Sequence, residues 1–161
     1  MSGDCFLMMD RVPGEAEDTA FTGAIEVLAW SWGAEAREAL GVGQARRSKA
    51  DIRDFRFEHN IDSATAGLMT RCMTNEPIPK ATLTQRRAGG AAAQQFIEIA
   101  FKQVRIVQVD LAMNPVGNGV ATRATVVFSF ERATLEYSPQ GSTGATKGGR
   151  HTFEWIGGAT K

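Results

Sequence analysis

The chain has 161 residues, of which 43% are hydrophobic, and its 18 Lys and Arg residues balance 18 Asp and Glu residues. This length predicts one domain, residues 1–161, because two ordinary domains need a longer chain. The balanced charge and a sequence pI near 6.7 argue against nucleic-acid binding and against an anionic membrane surface. No apolar run reaches the roughly 18 residues of a membrane span, and no basic flank resembles a secretory signal, so we expect a chain that is cytosolic as made.

The first third of the chain is predicted to contain β-strands separated by polar turns. Residues 6–12 form a short apolar run that ends at a Pro-Gly pair. Residues 25–33 read I-E-V-L-A-W-S-W-G and are predicted to form one strand that ends at a glycine. Side chains alternate along a strand, so one face receives Leu28, Trp30 and Trp32. The other face receives Ile25, Val27, Ala29 and Ser31. Because this second face is small and smooth, we expect it to meet a wall, a lumen or a partner.

A polar segment and a second strand occupy the middle of the chain. Residues 37–51 are polar, contain two glycines and lack a sustained period. This composition predicts a long exposed loop. Residues 52–61 alternate between polar and apolar positions, with Phe55 and Phe57 on an apolar face that also carries His59. Such alternation predicts a half-buried strand.

Helical spacing follows this strand. Ala64, Leu68 and Cys72 recur every four residues, and Met69 and Met73 form a second row beside them. The helix is predicted to have its N-cap at residue 62 or 63 and to end at residues 75–77, which gives roughly three turns. A single helix in an otherwise extended chain is expected to pack on the outside of a sheet. The methionine pair is interpreted as core filler.

The second half of the chain is predicted to consist of long paired strands. Residues 81–87 and 96–109 form a hairpin around a glycine-rich turn. In the second strand the apolar residues occupy odd positions before residues 102–103 and even positions after them. This parity also changes within residues 122–137, here from even to odd positions. Two long strands that both switch phase are typical of a closing barrel. Residues 151–156 form the last strand.

These elements predict a mainly β protein of about seven or eight strands, an antiparallel β-barrel or sandwich with one flanking α-helix. We favour the barrel. The side chains assigned to its core are Leu28, Trp30, Trp32, Phe55, Phe57, Leu68, Phe128, Phe130 and Trp155.

No motif for catalysis, metal binding or cofactor binding stands out. The two cysteines, Cys5 and Cys72, lie far apart in sequence and are expected to be reduced. The two histidines, His59 and His151, lack metal-ligand spacing and a neighbouring nucleophile motif. We therefore expect no metal, no cofactor and no enzyme activity. His59 is interpreted as a hydrogen-bonded structural residue, and the carboxylates of residues 15–18 as solvated charge.

Several short motifs keep a common order along nearly the whole chain. The most specific is the tryptophan strand at residues 25–33, in which an acid precedes V-L-A-W-S-W-G. The others are Asp4 with Phe6, Gly14–Glu15, Asp62–Ser63, Leu68–Met69, Cys72, Leu83–Thr84, Arg86, residues 88–90, Tyr137, Pro139–Gln140, Gly148–Gly149 and Trp155. In this order and spacing the chain resembles the Hcp family, the haemolysin-coregulated proteins that form the inner tube of type VI secretion systems.

The resemblance implies a β-barrel with a flanking helix that assembles as a six-membered ring with a wide central channel. Rings of the family stack into a tube that a contractile sheath ejects together with spike proteins. Members also hold small effector proteins in the ring lumen and leave the cell through the secretion system without a signal peptide. The resemblance thus implies a structural protein and effector carrier whose partners are itself, the sheath, the spike and effectors.

The resemblance also implies roles for two sets of residues. Ala29 and Ser31 would face the lumen, where a small side chain lets cargo or solvent come close. The segment 37–51 would reach a neighbouring subunit or the next ring. In many members this segment holds mostly glycine, serine and other small residues, whereas here its charged side chains could pair or repel across the ring interface. The charged residues assigned to ring contact or stacking are Arg37, Glu38, Arg46, Arg47 and Lys49.

Two other hypotheses are left open by the sequence. A monomeric or dimeric barrel could bind a small ligand in its interior, although inward phenylalanines would fill a small barrel. An enzyme could use His59 or His151 as a general base, although neither residue lies in a catalytic motif.

Overall fold

The computed structural model describes residues 4–39, 47–87, 95–139 and 149–157. These residues form eleven strands and one helix. In chain order the elements are β1 (Cys5–Met9), β2 (Ile25–Glu26), β3 (Ala29–Ser31), β4 (Ala34–Ala39), β5 (Arg47–Ile52), β6 (Phe55–Asn60), α1 (Ala64–Thr74), β7 (Ile78–Arg86), β8 (Gln95–Val116), β9 (Gly119–Ser129), β10 (Arg132–Tyr137) and β11 (His151–Ile156). The mainly β class with one helix is confirmed.

All strand pairs are antiparallel, and the long strand β8 organises them. The main sheet runs in the order β2-β1-β7-β8-β9-β6-β3, and β10 pairs with β8 and with β11. Strand β10 lies beside residues 97–102 of β8, whereas β9 lies beside residues 105–116. Strand β8 therefore belongs to both halves of the sheet and must bend between them.

The bend occurs where the sequence predicts a change of parity. Gln103 adopts a left-handed conformation with φ 53°. Phe101 and Val104, on either side of this bend, are both fully buried. One residue in a left-handed conformation reverses the alternation, so both halves of the strand direct apolar side chains at the same core. The second predicted change of parity separates β9 from β10, where Phe130 and Ala133 are both buried.

The prediction of one strand over residues 25–33 is wrong. The backbone N–H of Val27 donates to Cys5 at 2.9 Å, whereas the N–H of Leu28 donates to Glu58 at 2.8 Å. The chain therefore changes from β1 to β6 between these two residues, and β2 and β3 are separate strands. Alternation breaks at Leu28, since Leu28 is 44% exposed and the next residue, Ala29, is exposed as well. The assignment of Leu28 to the core is consequently corrected.

The sheet of the described residues is open, which corrects the predicted barrel of seven or eight strands. The hydrogen-bonded path ends at β2 and β3. These strands are consecutive in the chain, so covalent connection rather than a continuous ladder joins the two ends. Strand β11 pairs only with β10 among the described strands and forms a third edge. The wall around the core therefore has a seam between β3 and β11.

Aromatic side chains fill the interior. Phe55, Phe57, Phe101 and Phe128 are fully buried. Their packing is tight, because the ring centroids of Phe55 and Phe101 lie 5.0 Å apart and those of Phe55 and Phe128 lie 5.1 Å apart. Such dense packing leaves little room for a ligand inside the sheet.

The remaining residues assigned to the core lie within or against this aromatic cluster. Trp30 and Trp32 are half-buried, with Trp30 stacked 5.7 Å from Phe55 and Trp32 5.6 Å from Phe101. Phe130 is 9% exposed, and Trp155 packs at right angles to it at 5.4 Å. Leu68, on the helix, is fully buried.

Helix α1 begins and ends as predicted. Ser63 is its N-cap, and Asn75 closes it in a left-handed conformation with its N–H bonded to Arg71. The interpretation of the methionines as core filler is wrong, since Met69 is 42% exposed and Met73 is 85% exposed. The buried stripe is narrower than predicted. Among the described residues, no helix has the length and apolar character required to cross a membrane.

Candidate assembly surface

The two residues predicted to face a lumen lie on one exposed strand surface. In β3, Ala29 pairs with Glu58 of β6 and Ser31 pairs with Arg56. Both small side chains are exposed. A shallow cavity of about 180 Å³ is lined by these four residues, Trp30 and Phe57. Small side chains between residues of opposite charge let another molecule approach the backbone closely.

This surface continues across the sheet as one polar face, which we call the β3–β8 face. Directly paired residues of antiparallel strands share a face. The register therefore joins two rows of side chains, each running from β3 through β6 and β9 to β8. The first row is Ser31, Arg56, Val127 and Gln108, and the second is Ala29, Glu58, Thr125 and Asp110. The face carries charges of both signs and points away from the core.

In its described part, residues 37–39 and 47–51, the segment predicted to be an exposed loop forms two paired strands, the β4–β5 hairpin. Strands β4 and β5 pair from Ala34 with Ile52 to Ala39 with Arg47, in a ladder separate from the main sheet. The prediction of a loop over residues 37–51 is therefore corrected for residues 37–39 and 47–51; residues 40–46 lie outside the described residues. Every second residue of 47–51 is charged, and this period was the signal for a solvent-exposed strand.

Four of the five residues assigned to ring contact or stacking fall on this hairpin. Arg37 lies opposite Lys49, and Glu38 lies opposite Ser48. Arg47 begins β5. Arg46 lies outside the described residues.

Contacts close the base of the hairpin next to Trp32, whose ring packs on Phe101 of the core. The N–H of Arg53 donates to Gly33 at 2.9 Å, and the indole N–H of Trp32 donates to the carbonyl oxygen of Arg53 at 2.8 Å. The Arg53 side chain also lies 3.6 Å from the carboxylate of Glu35. Partial desolvation raises the pKa of the neighbouring Asp54 carboxyl.

An apolar groove, which we call the seam groove, lies between the edges of the open sheet. Its volume is about 380 Å³. One wall comes from β3 to β5 and the other from β8, β10 and β11. Its lining residues, none of them charged, are Trp30, Trp32, Gly33, Ala34, Ile52, Ile99, Leu135 and Phe153. Phe153 is 44% exposed although its ring lies 6.4 Å from that of Trp32. The sequence did not predict this groove, because its residues lie far apart in the chain.

A second exposed apolar surface lies on the end of the β8–β9 hairpin. We call residues 107–123 the arm. Leu111 pairs with the buried Ala124, and Met113 pairs with Thr122. Leu111, Met113 and Val120 consequently lie on the core side of the sheet, yet they are 48%, 67% and 67% exposed. The arm thus extends the core-facing surface beyond the core that the described residues build.

Arg86 joins three parts of the chain that are distant in sequence. Its guanidinium lies 2.7 Å from the carboxylate of Asp18 and 3.8 Å from that of Asp4. It also lies over the rings of Phe6 and Phe21, 5.0 and 5.5 Å from their centroids. The hydrogen bond from Arg86 lowers the pKa of Asp18. The interpretation of Asp18 as merely solvated charge is therefore wrong.

His59 is fully buried beside Phe57. Its Nδ1 atom lies 3.6 Å from a carboxylate oxygen of Asp62, and within the described residues neither ring nitrogen has a hydrogen-bond partner. The predicted hydrogen bond is thus not formed there. His151 starts β11 and stacks 6.2 Å from Tyr137. The two histidines lie on different strands, β6 and β11.

Both cysteines are free. Burial raises the pKa of Cys5 to about 12, which makes its thiol a poor nucleophile at neutral pH. Cys72, on α1, is half-buried. Over the described ranges, no three His, Cys, Asp or Glu side chains are grouped to hold a metal ion.

Comparison with known proteins agrees with this architecture. Residues 6–137 match the family described as "Type VI secretion system effector, Hcp". The chain is 32% identical to the Hcp1 protein of Pseudomonas aeruginosa over 158 residues, which cover 96% of this chain and 95% of that protein. The crystal structure of Hcp1 from Salmonella typhimurium superposes with a TM-score of 0.77 at 29% identity, covering 100% of this chain and 99% of the other. A type VI secretion system effector from Yersinia pestis gives a TM-score of 0.73 at 28% identity, with 95% and 99% covered. The chain belongs to the Hcp family of type VI secretion system proteins.

Proposed function

We propose that this chain is a tube subunit of a type VI secretion system, assembling as six-membered rings that stack and that carry effector proteins in their lumen. Membership of the Hcp family supports a role in this system. The observation that carries the assembly part is the exposed apolar surface of the arm. It is the core-facing side of a strand pair, and the described residues do not cover it.

The two faces of the arm differ in the way that an assembly requires. Leu111, Met113 and Val120 are exposed on the core-facing side. The opposite side carries Asn114 and, paired with Ala112, the charged Arg123. A strand pair with one apolar and one polar face normally buries the first and leaves the second in water. Burying each large apolar side chain contributes about 1.5–3 kcal/mol, so a subunit that covers this surface gains stability.

The β3–β8 face is proposed to line the channel. It lies on the side of the sheet opposite to the core and continues onto the polar side of the arm. A ring that covers the apolar side of each arm therefore leaves this face open. Charges of both signs and small residues such as Ala29 and Ser31 suit a channel that holds protein cargo of varied composition.

The β4–β5 hairpin is proposed to contact the next ring. It forms its own ladder, and Trp32 at its base packs on the core. Its charges, Arg37, Glu38, Arg46, Arg47 and Lys49, could pair with charges on the facing ring. Further partners under this proposal are the contractile sheath and the spike, and the subunit leaves the cell through the secretion system. The interior-ligand alternative is disfavoured, because the phenylalanine cluster fills the space that a ligand would need.

A bulky residue at Ser31 tests the channel assignment. Under this proposal the variant Ser31→Tyr forms normal rings but retains at least several-fold less of the effector proteins of the same secretion system. The matched control is Thr70→Tyr, which adds the same side chain at an exposed position of α1. Effector levels are compared by affinity purification and immunoblotting, after light scattering has verified the ring mass. Unchanged effector retention by Ser31→Tyr would contradict the channel assignment.

A further inference from the structure

We propose that the apolar side of the arm of one subunit covers the seam groove of the next subunit in the ring. This inference rests on the proposed ring and names the two surfaces that build it. Three observations carry it. Both surfaces are apolar, the arm is long enough to reach a neighbour, and the two surfaces lie on different parts of the subunit.

Both surfaces are free of charged side chains. The groove is lined by aromatic and aliphatic residues together with one glycine. On the arm, the residues that share the face of Leu111 are Met113, Pro115, Val120 and Thr122. Contact between these surfaces removes apolar area from water without burying an unpaired charge. Phe153 in the groove and Met113 on the arm are the large side chains that gain most, since they are 44% and 67% exposed.

The arm is long enough to reach a neighbour. Ala124, opposite Leu111, is the last fully buried residue of this strand pair toward the arm tip. Beyond Leu111 the strand continues to Val116, and at about 3.3 Å per residue this segment adds roughly 17 Å. That is about twice the separation of packed sheets. The tip can therefore lie on another subunit while its base remains part of the sheet.

The two surfaces belong to different parts of the molecule, and this fixes the type of symmetry. A twofold dimer joins a surface to its own copy, whereas contact between an arm and a groove is heterologous. Each subunit then offers its arm to one neighbour and its groove to the other. Heterologous contacts close into a ring when the rotation permits. The pair of surfaces is thus suited to a ring and unsuited to a simple dimer.

Chemical cross-linking within assembled rings tests the contact. The variant Met113→Cys with Phe153→Cys, in a Cys72→Ser background, is treated with a short bismaleimide. Cys5 is buried and does not react appreciably, because its pKa is about 12. We expect a ladder of covalent oligomers up to six chains on a denaturing gel. A second pair, Val120→Cys with Ile52→Cys, serves the same purpose if the first variant fails to assemble.

The controls move one thiol to the opposite face of the same strand. In the first pair, Ala112→Cys replaces Met113→Cys on the arm, or Thr152→Cys replaces Phe153→Cys on β11. In the second pair, Ala121→Cys replaces Val120→Cys. Each control should give at least fivefold less cross-linking than the matching pair. Suppose that rings of normal mass form but that neither test pair cross-links more than its control. The arm-and-groove contact would then be wrong, whereas the proposed ring would stand. If the unmodified chain forms no ring, both proposals are wrong.

Discussion

At the scale of single residues, Arg86 combines ion pairs with cation–π contacts. Its guanidinium is stacked on two phenylalanine rings and paired with Asp18, which holds the segment before β2 against strands β1 and β7. Cation–π contacts that are largely desolvated contribute up to about 2 kcal/mol. Arg86 is only 16% exposed, so solvent screens these interactions less than at an open surface.

Replacing this side chain should destabilise the fold and alter its response to acid. We expect Arg86→Gln to lower the free energy of unfolding by about 1–2 kcal/mol at pH 7, through loss of the cation–π contacts. The control Lys80→Gln removes one positive charge at an exposed position of the same strand and should change stability by less than about 0.5 kcal/mol. Urea denaturation measures both values. Equal effects of the two variants would contradict this role of Arg86.

The pH dependence follows from the direction of the Asp18 shift. The pKa of Asp18 is lowered in the folded state, first by the hydrogen bond from Arg86. Its stabilising contribution is therefore complete above the pKa of an unfolded aspartate, about 3.9, and is lost as the pH falls through the lower folded value. The difference in stability between the wild type and Arg86→Gln should accordingly shrink below about pH 4. A difference that grows in acid would contradict this account.

Residue parity shows how far the sequence predicts the structure. Phe55, Phe57 and Phe128 lie in regular strands, and simple alternation places them inward. Leu28 was placed wrongly because the chain exchanges one partner strand for another at this residue, and alternation holds only while a strand keeps its partner. The Arg86 cluster could not be predicted, because Phe6, Phe21 and Arg86 meet only through the folded sheet.

At the scale of elements, the sequence predicted those features that depend on residues close together in the chain. The helix α1 was found from its period and its caps, and the bend of β8 from a change of parity. The hairpin β4–β5 was missed because its strands are mostly polar, and the strand prediction relied on alternating apolar residues. The seam and the apolar arm were also missed, because they depend on which strands are neighbours.

Two glycines differ in the space available for an added Cβ atom, and alanine substitutions at them should therefore change stability in opposite directions. At Gly14 an added Cβ would collide with the carbonyl oxygen of Ala24 and lie 2.7 Å from its carbonyl carbon. At Gly67, inside α1, the nearest atom would be a methyl group of Val12 at 3.9 Å, which is an ordinary contact. We expect Gly14→Ala to cost about 1–3 kcal/mol through overpacking. Gly67→Ala should stabilise by about 0.5–1 kcal/mol, because alanine favours the helix.

Chemical denaturation at one fixed protein concentration compares these two variants, since assembly adds a term that depends on concentration. The unfolding midpoint is predicted to be highest for Gly67→Ala, intermediate for the wild type and lowest for Gly14→Ala. A Gly14→Ala variant as stable as the wild type would show that the segment before β2 can move away from β2 without cost.

At the scale of the whole molecule, the arrangement separates two kinds of surface. The β3–β8 face is polar and lies opposite to the core, whereas the arm and the seam groove are apolar and exposed in the single chain. A lone subunit leaves both apolar surfaces in water. The proposed ring would cover them and keep the polar face open, and for this reason we propose a ring rather than a monomer.

The solution mass tests this account most directly. Size-exclusion chromatography with light scattering, across a wide range of concentrations, should show a species of about 104 kDa, six times the 17.4 kDa of the chain. Negative-stain images of the same peak should show rings with open centres. A monodisperse monomer of 17.4 kDa at every concentration would contradict the assembly account, because the arm and the groove would then stay exposed without a partner.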